Sequence, residues 1–177
     1  FRQYSYFTNL KEGWRKYKLH SLSFKGLLYK FLLSIIPPTD SLLLPRERGY
    51  FYAQDFYPDN TFDIRVVVIG EKAFAIKRES RKNDFRASGS GRIVYRKDEL
   101  DVHCVKMAYE LNDMIRSQCI AFDFIYNSVH EPSVIECSYG FTANAYNACE
   151  GYWDKEMAWH RDNVNPCGWM VDNLLRH

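Results

Sequence analysis

Two acidic residues, Asp123 and Glu136, stand in short apolar runs on either side of a turn-like stretch, residues 127–132. If 127–132 closes an antiparallel pair, Tyr126 falls opposite Ser133, and counting back places Asp123 opposite Glu136. Side chains alternate along a strand, so Ser138 joins Glu136 on one face, across from Ala121. Two carboxylates facing each other across a sheet repel unless a cation lies between them. Mg²⁺ accepts hard oxygens from one or two carboxylates, completed by water and phosphate. The plain alternative is that one carboxylate simply faces solvent.

A second constellation lies upstream. With Gly70-Glu71 as a two-residue type II′ turn, Ile69 pairs with Lys72, Arg65 with Ile76 and Asp63 with Arg78. Asp63, Arg65 and Arg78 then share one face, and Ile64, Val66 and Val68 share the other with Lys77. Two guanidiniums with a carboxylate to orient them suit an anion site. The alternative is a solvated cross-strand ion pair, worth under ~1 kcal/mol. The polar loop 83–91 adds Arg86, two serines and two glycines with backbone N–H groups free to meet an anion.

The elements that must position these residues follow from periodicity. Leu22, Leu27, Leu28, Phe31, Leu32 and Ile35 recur at helical spacing within 1–36, and Pro37-Pro38 ends that pattern. Residues 50–57, 62–69 and 72–78 read as strands. Apolar positions 104, 105, 108, 111 and 115 predict a helix within 98–117, capped by Asp98 or Asp101. The last 35 residues read as irregular and rich in Tyr, Trp, Asn and Gly, either packing on the core as a lid or forming an acceptor-substrate pocket. Cys104 belongs to the core face of the helix, which argues against a dyad with His103. Cys137 is expected to point into the core.

Composition sets the class. The chain has 177 residues, 46% hydrophobic and 26% charged, as in folded globular domains. The net charge of +2 gives no argument for nucleic acid, but its distribution is uneven. Residues 1–30 hold seven Lys/Arg against one Glu, leaving 17 against 21 for the rest. The basic residues interleave with aromatics there, which suits a solvated helical insertion, an RNA surface or an acidic membrane face. No run of 18 apolar residues occurs, so no membrane-spanning helix is expected. Five cysteines without CxxC or metal spacing point to reduced thiols and a cytoplasmic setting.

Four segments occur in a recognisable order. Residues 52–57 (Tyr-Ala-Gln-Asp-Phe-Tyr) resemble the hinge strand of the ATP-grasp superfamily, where backbone meets adenine. Residues 62–70, then 75–78 and 84–86, resemble the ribosomal-protein glutamate ligase branch. Residues 122–125 and 134–141 are similar to the metal-binding signature of D-alanine–D-alanine ligases. The resemblance covers about residues 50–145 and implies an α+β fold, the C-terminal ATP-grasp subdomain with an antiparallel sheet. It implies three parts: a basic helical appendage over 1–49, the subdomain over 50–145, and an aromatic tail over 146–177.

Carried over by position, Asp123 and Glu136 are metal ligands, with Glu136 bridging two Mg²⁺ ions that Mn²⁺ can replace. Ser138 stands where the family has Asn, a weaker ligand. Arg65, Arg78 and Arg86 fall near the phosphates or the acyl-phosphate. Ala53, Gln54, Asp55, Phe56 and Ile135 line the nucleotide, with Asp59 or Asn60 near the ribose. Ala121 stands where D-alanine ligases carry Arg. The implied activity is ATP- and Mg-dependent joining of a carboxylate to an amine through an acyl-phosphate, with both substrates unidentified and oligomerisation left open. No Gly-rich phosphate loop precedes residue 50 and the first residue is Phe1, so a C-terminal piece of a longer enzyme, inactive alone, is expected. The alternative is a non-catalytic, degenerate ATP-grasp module or a basic polyanion-binding scaffold.

Overall fold

The computed structural model describes residues 6–18, 22–35, 51, 53–80 and 92–175. The chain divides into two units, Phe1–Gln54 and Asp55–His177. The first holds two helices, α1 (Tyr6–Lys18) and α2 (Phe24–Ile35). The helical pattern of 1–36 is thus broken, and α2 restarts at Ser23, whose hydroxyl accepts a hydrogen bond from the Gly26 amide at 3.1 Å.

The second unit is α+β. Its antiparallel sheet contains β1 (Phe62–Ile69), β2 (Lys72–Glu79), β3 (Ile93–Val94), β4 (Cys119–Tyr126), β5 (Pro132–Ser138), β6 (Tyr152–Asp154) and β7 (Trp159–His160). The strand order is β5-β4-β1-β2-β6-β7, with β3 also paired to β2. The aromatic tail is therefore not irregular: β6 pairs with β2, and helix α4 (Pro166–Leu175) follows. Strands of three and two residues are too short to show a period, which is why the sequence conceals them.

Helix α3 (Val102–Ile115) starts at Asp101, whose carboxylate accepts from the His103 amide at 2.9 Å. It buries Cys104, Val105, Ala108, Tyr109 and Asn112. Ile115, expected on that face, is 52% exposed, because Tyr109 and Asn112 rotate the buried stripe. The Tyr109 hydroxyl donates to the Trp153 carbonyl at 2.8 Å, tying α3 to β6.

Both faces of the sheet are covered. Ile64, Val66, Val68, Ala75, Phe122, Phe124 and Trp153 pack with α3. Val67, Ile69, Phe74, Ile76, Ala121 and Tyr146 pack on the other side with Trp169 and Met170 of α4. Burying each large apolar side chain contributes about 1.5–3 kcal/mol. The hairpin register is as the turn predicted: Ile69 with Lys72, Arg65 with Ile76, Asp63 with Arg78. Gly70 has φ +57° while Glu71 stays at negative φ, the signature of a II′ turn.

Candidate functional site

Four charged residues meet on the sheet face that carries Tyr146. Register brings them together: Asp63 pairs with Arg78 across β1 and β2, and Arg65 pairs with Asp123 across β1 and β4. Arg78 donates to Asp63 from Nε at 2.6 Å and from Nη2 at 2.7 Å. The same Nη2 lies 2.8 Å from Asp123 Oδ2. Arg65 donates to Asp123 from Nε at 2.5 Å and from Nη2 at 2.6 Å. Asp63, Arg78 and Asp123 are buried, between 3% and 8% exposed. This is no solvated surface pair.

The electrostatics reflect that burial. Desolvation raises the Asp63 carboxyl above its ordinary value, against the pull of Arg78. Burial also opposes the Arg78 charge, but the hydrogen bond to Asp63 and the charges of Asp123 and Asp63 outweigh it and raise the guanidinium. The two directions disagree on whether the pair is favourable. Geometry decides for an ionised pair, because a guanidinium has no acceptor for a protonated carboxyl to donate to. Arg65 is raised in the same way, with burial opposed by Asp123 and by Tyr146. Burial raises the Tyr146 hydroxyl, with Arg65 pulling it down.

Glu136 lies directly across from Asp123, and Ser138 across from Ala121, as expected. The route differs. Tyr126 pairs with Pro132 and Phe124 with Val134, and a bulge between Asp123 and Phe124 positions restores the register. Glu136 and Ile135 are exposed on β5, an edge strand. Cys137, expected in the core, is exposed instead: among the described residues β5 ends the sheet, and neither apolar cluster reaches out to it. The Ser138 hydroxyl donates to the Gly140 carbonyl at 3.0 Å and accepts from the Gly140 amide at 3.2 Å, so the turn occupies it.

The oxygen donors suit a hard cation in part. Asp123 Oδ1 accepts one hydrogen bond and Oδ2 two, which leaves acceptor capacity on Oδ1. Among the described residues no group of three or more His, Cys, Asp or Glu is placed to hold a metal ion. Mg²⁺ needs one or two carboxylates when phosphate and water complete its shell.

No described residue of 51–60 lies in a strand, and Ala53, Gln54, Asp55 and Phe56 are exposed. Asp59 is exposed in a turn at φ +69°. Asn60 is committed to structure: its amide donates to the Tyr126 carbonyl at 2.9 Å and its carbonyl accepts from the Tyr126 amide at 2.8 Å. Arg86 and the 83–91 loop lie outside the described residues. Lys77 points to the α3 side, 4.6 Å from the Phe62 ring, as its register required. His103 is exposed and Cys104 buried, with its thiol pushed up to about 12, so no dyad forms.

Sequence reasoning missed two members of the site. One is the direct pairing of Arg65 with Asp123, which needs the long-range β1–β4 register. The other is the place of Tyr146 beside Arg65; the sequence put it in the aromatic tail as packing or an acceptor pocket, and it is 1% exposed with its ring meeting Phe74 and Phe141 edge-on. Opposite charge at Arg65 and Asp123 was the only signal for the first. Neither a protein-family model nor a curated protein matches the chain.

Proposed function

We propose that residues 55–175 are the Mg²⁺–ATP-binding subdomain of an ATP-grasp carboxylate–amine ligase. The observation that carries this reading is the buried Asp63–Arg78–Asp123–Arg65 network, aligned strand by strand with the exposed Glu136. Its four charges cancel within the network, and Glu136 adds one negative charge beside it. Asp123 and Glu136 hold the metal, and Mg²⁺ supplies neutralisation of the phosphate oxygens. Arg65 and Arg78 hold phosphate oxygens and the developing charge on the acyl-phosphate. A substrate carboxylate attacks the γ-phosphorus with ADP leaving, and an amine then displaces phosphate from the acyl carbon.

Ligand-observed NMR of ATP with this chain tests the reading, because it detects weak binding. Binding should require Mg²⁺ and disappear in Asp123→Asn and Glu136→Gln. Binding indifferent to Mg²⁺ and to both substitutions would refute it. A second reading, a polyanion-binding module without turnover, is favoured by Ser138, whose hydroxyl is engaged by Gly140. Retention of Mg²⁺-independent binding to inorganic polyphosphate would favour that reading.

A further inference from the structure

The pair α1–α2 carries an exposed apolar face. Gly13 of α1 is buried and faces α2, where a Cβ would meet Leu27 Cδ1 at an ordinary contact distance of 3.4 Å. Between them runs a groove of about 340 Å³ lined by Leu10, Trp14, Phe24, Leu27, Leu28 and Phe31. Trp14, Phe24, Leu28 and Leu32 are each more than half exposed. Single exposed apolar residues need no explanation, but a contiguous patch does.

Charge identifies what this patch fits. Residues 6–35 hold Lys11, Arg15, Lys16, Lys18, Lys25 and Lys30 against one acidic residue, Glu12. On α1, Leu10, Trp14 and Tyr17 make one stripe at helical spacing, flanked by Lys11 and Lys18. The Lys18 ammonium lies 6.0 Å from the Trp14 ring centroid. On α2, Phe24, Leu28 and Leu32 make the stripe, with Lys25 beside it. Long basic side chains lay their stems along apolar surface and keep the charge outside. Trp and Tyr prefer the boundary between apolar and polar phases, where Trp14, Tyr17 and Tyr29 stand. An apolar stripe with aromatic residues and a basic rim is the pattern of helices that lie in the plane of a membrane interface.

We propose that α1–α2 is a peripheral membrane-docking element that seats its apolar groove in an anionic lipid surface. The apolar side chains enter the acyl boundary and the lysines meet anionic headgroups. No helix among the described residues is long and apolar enough to cross a membrane, so this attachment is to one surface. The inference stands apart from the nucleotide reading, because it uses none of the sheet residues.

The experiment is co-sedimentation of the 177-residue chain with vesicles of phosphatidylcholine, with and without half phosphatidylglycerol. The chain should pellet with the anionic vesicles and stay in solution with the neutral ones. Each basic residue at such a surface contributes roughly fivefold in affinity. Lys11→Gln, Lys18→Gln and Lys25→Gln together should therefore weaken binding about a hundredfold, and high salt should do the same. Phe24→Ser with Leu28→Ser, both at exposed positions, should abolish pelleting while the sheet unit melts unchanged. Leu175→Ser, exposed on α4, controls for general hydrophobicity and should leave pelleting intact. Equal binding to neutral and anionic vesicles, or none, would overturn the proposal. So would a dimer in solution lost on Phe24→Ser, which would assign the face to a second copy. RNA binding that depends on the same lysines but not on Phe24, without vesicle binding, would overturn it as well.

Discussion

Removing the Arg78 guanidinium while keeping its volume, as in Arg78→Met, is the most informative perturbation of the site. Among the described residues Arg78 alone is bonded to both buried carboxylates, through 2.6 and 2.7 Å contacts to Asp63 and one of 2.8 Å to Asp123. Arg65 can still neutralise Asp123, but Asp63 is left 5% exposed without its cation. Stripping one partner from a buried ion pair costs about 3–5 kcal/mol, a large part of the roughly 5–15 kcal/mol that stabilises a domain. For a sheet unit of this size that corresponds to a fall in melting temperature of roughly 10–20 °C.

The pH dependence has a definite sign. A carboxyl raised in the folded state binds more protons there than in the unfolded chain, so its contribution to stability grows as pH falls. It is complete below the unfolded value of 3.8 and is lost as pH rises through the folded value. Arg78→Met should therefore regain stability on acidification more steeply than the parent. Urea denaturation at pH 7 and pH 5 measures both effects. Replacing both members, Asp63→Leu with Arg78→Met, should restore most of the loss, because apolar substitutes for a buried pair are often neutral. A loss below ~1 kcal/mol for Arg78→Met would place the pair among solvated surface pairs and refute the reasoning.

Glu136→Gln should abolish Mn²⁺-dependent line broadening at Asp123 while changing stability by less than ~0.5 kcal/mol, since Glu136 is exposed. Gly70→Ala should destabilise by about 1–2 kcal/mol in urea titration, because its φ is +57° and a Cβ would lie 2.9 Å from Asn173 Oδ1. The hydrogen bond from His160 lowers the Asp154 carboxyl, so the stability it contributes is present above the unfolded value of 3.8 and is lost as pH falls through the folded value. Asp154→Asn should flatten that acid limb of the melting curve, and an unchanged limb would remove the contact from the account.

Legibility followed the range of each interaction. The β1–β2 register was readable because Gly70 fixes a two-residue turn, and a turn fixes every pair that follows it. Asp123 and Glu136 were placed opposite each other by a six-residue loop, whereas the chain uses a shorter loop and a bulge near Ile135. The shorter loop is held by Asn127, whose side-chain oxygen accepts from the amides of Val129 and Glu131 at 3.0 and 2.9 Å. Loop and bulge each shift the register by one residue in opposite senses, so the pairing was right for an incomplete reason. Among the described residues of 50–57 none lies in a strand, because aromatic content marks strands and ordered loops alike, and just after them Asn60 bonds the Tyr126 backbone through its side chain. The β1–β4 contact joins residues 58 apart, and no local pattern reports it.

That contact changes what the site is before any ligand arrives. With Asp123 facing Glu136 alone, the pair would be a repulsive vacancy that only a cation relieves. With Arg65 and Arg78 on Asp123, the site is electrostatically closed, and on the ligase reading a nucleotide must open it. A phosphate group offers the guanidiniums the same bidentate partner that Asp63 and Asp123 now provide. Mg²⁺ offers Asp123 a cation in their place. On the ligase reading, metal and phosphate must therefore bind together, since either alone leaves one member of the network buried and unpaired, at the cost that an orphaned charge carries. The coupling has a measurable form: ATP affinity should rise with Mg²⁺ and Mg²⁺ affinity with ATP by the same factor. Independent binding of the two would mean that the network stays closed and serves the fold alone.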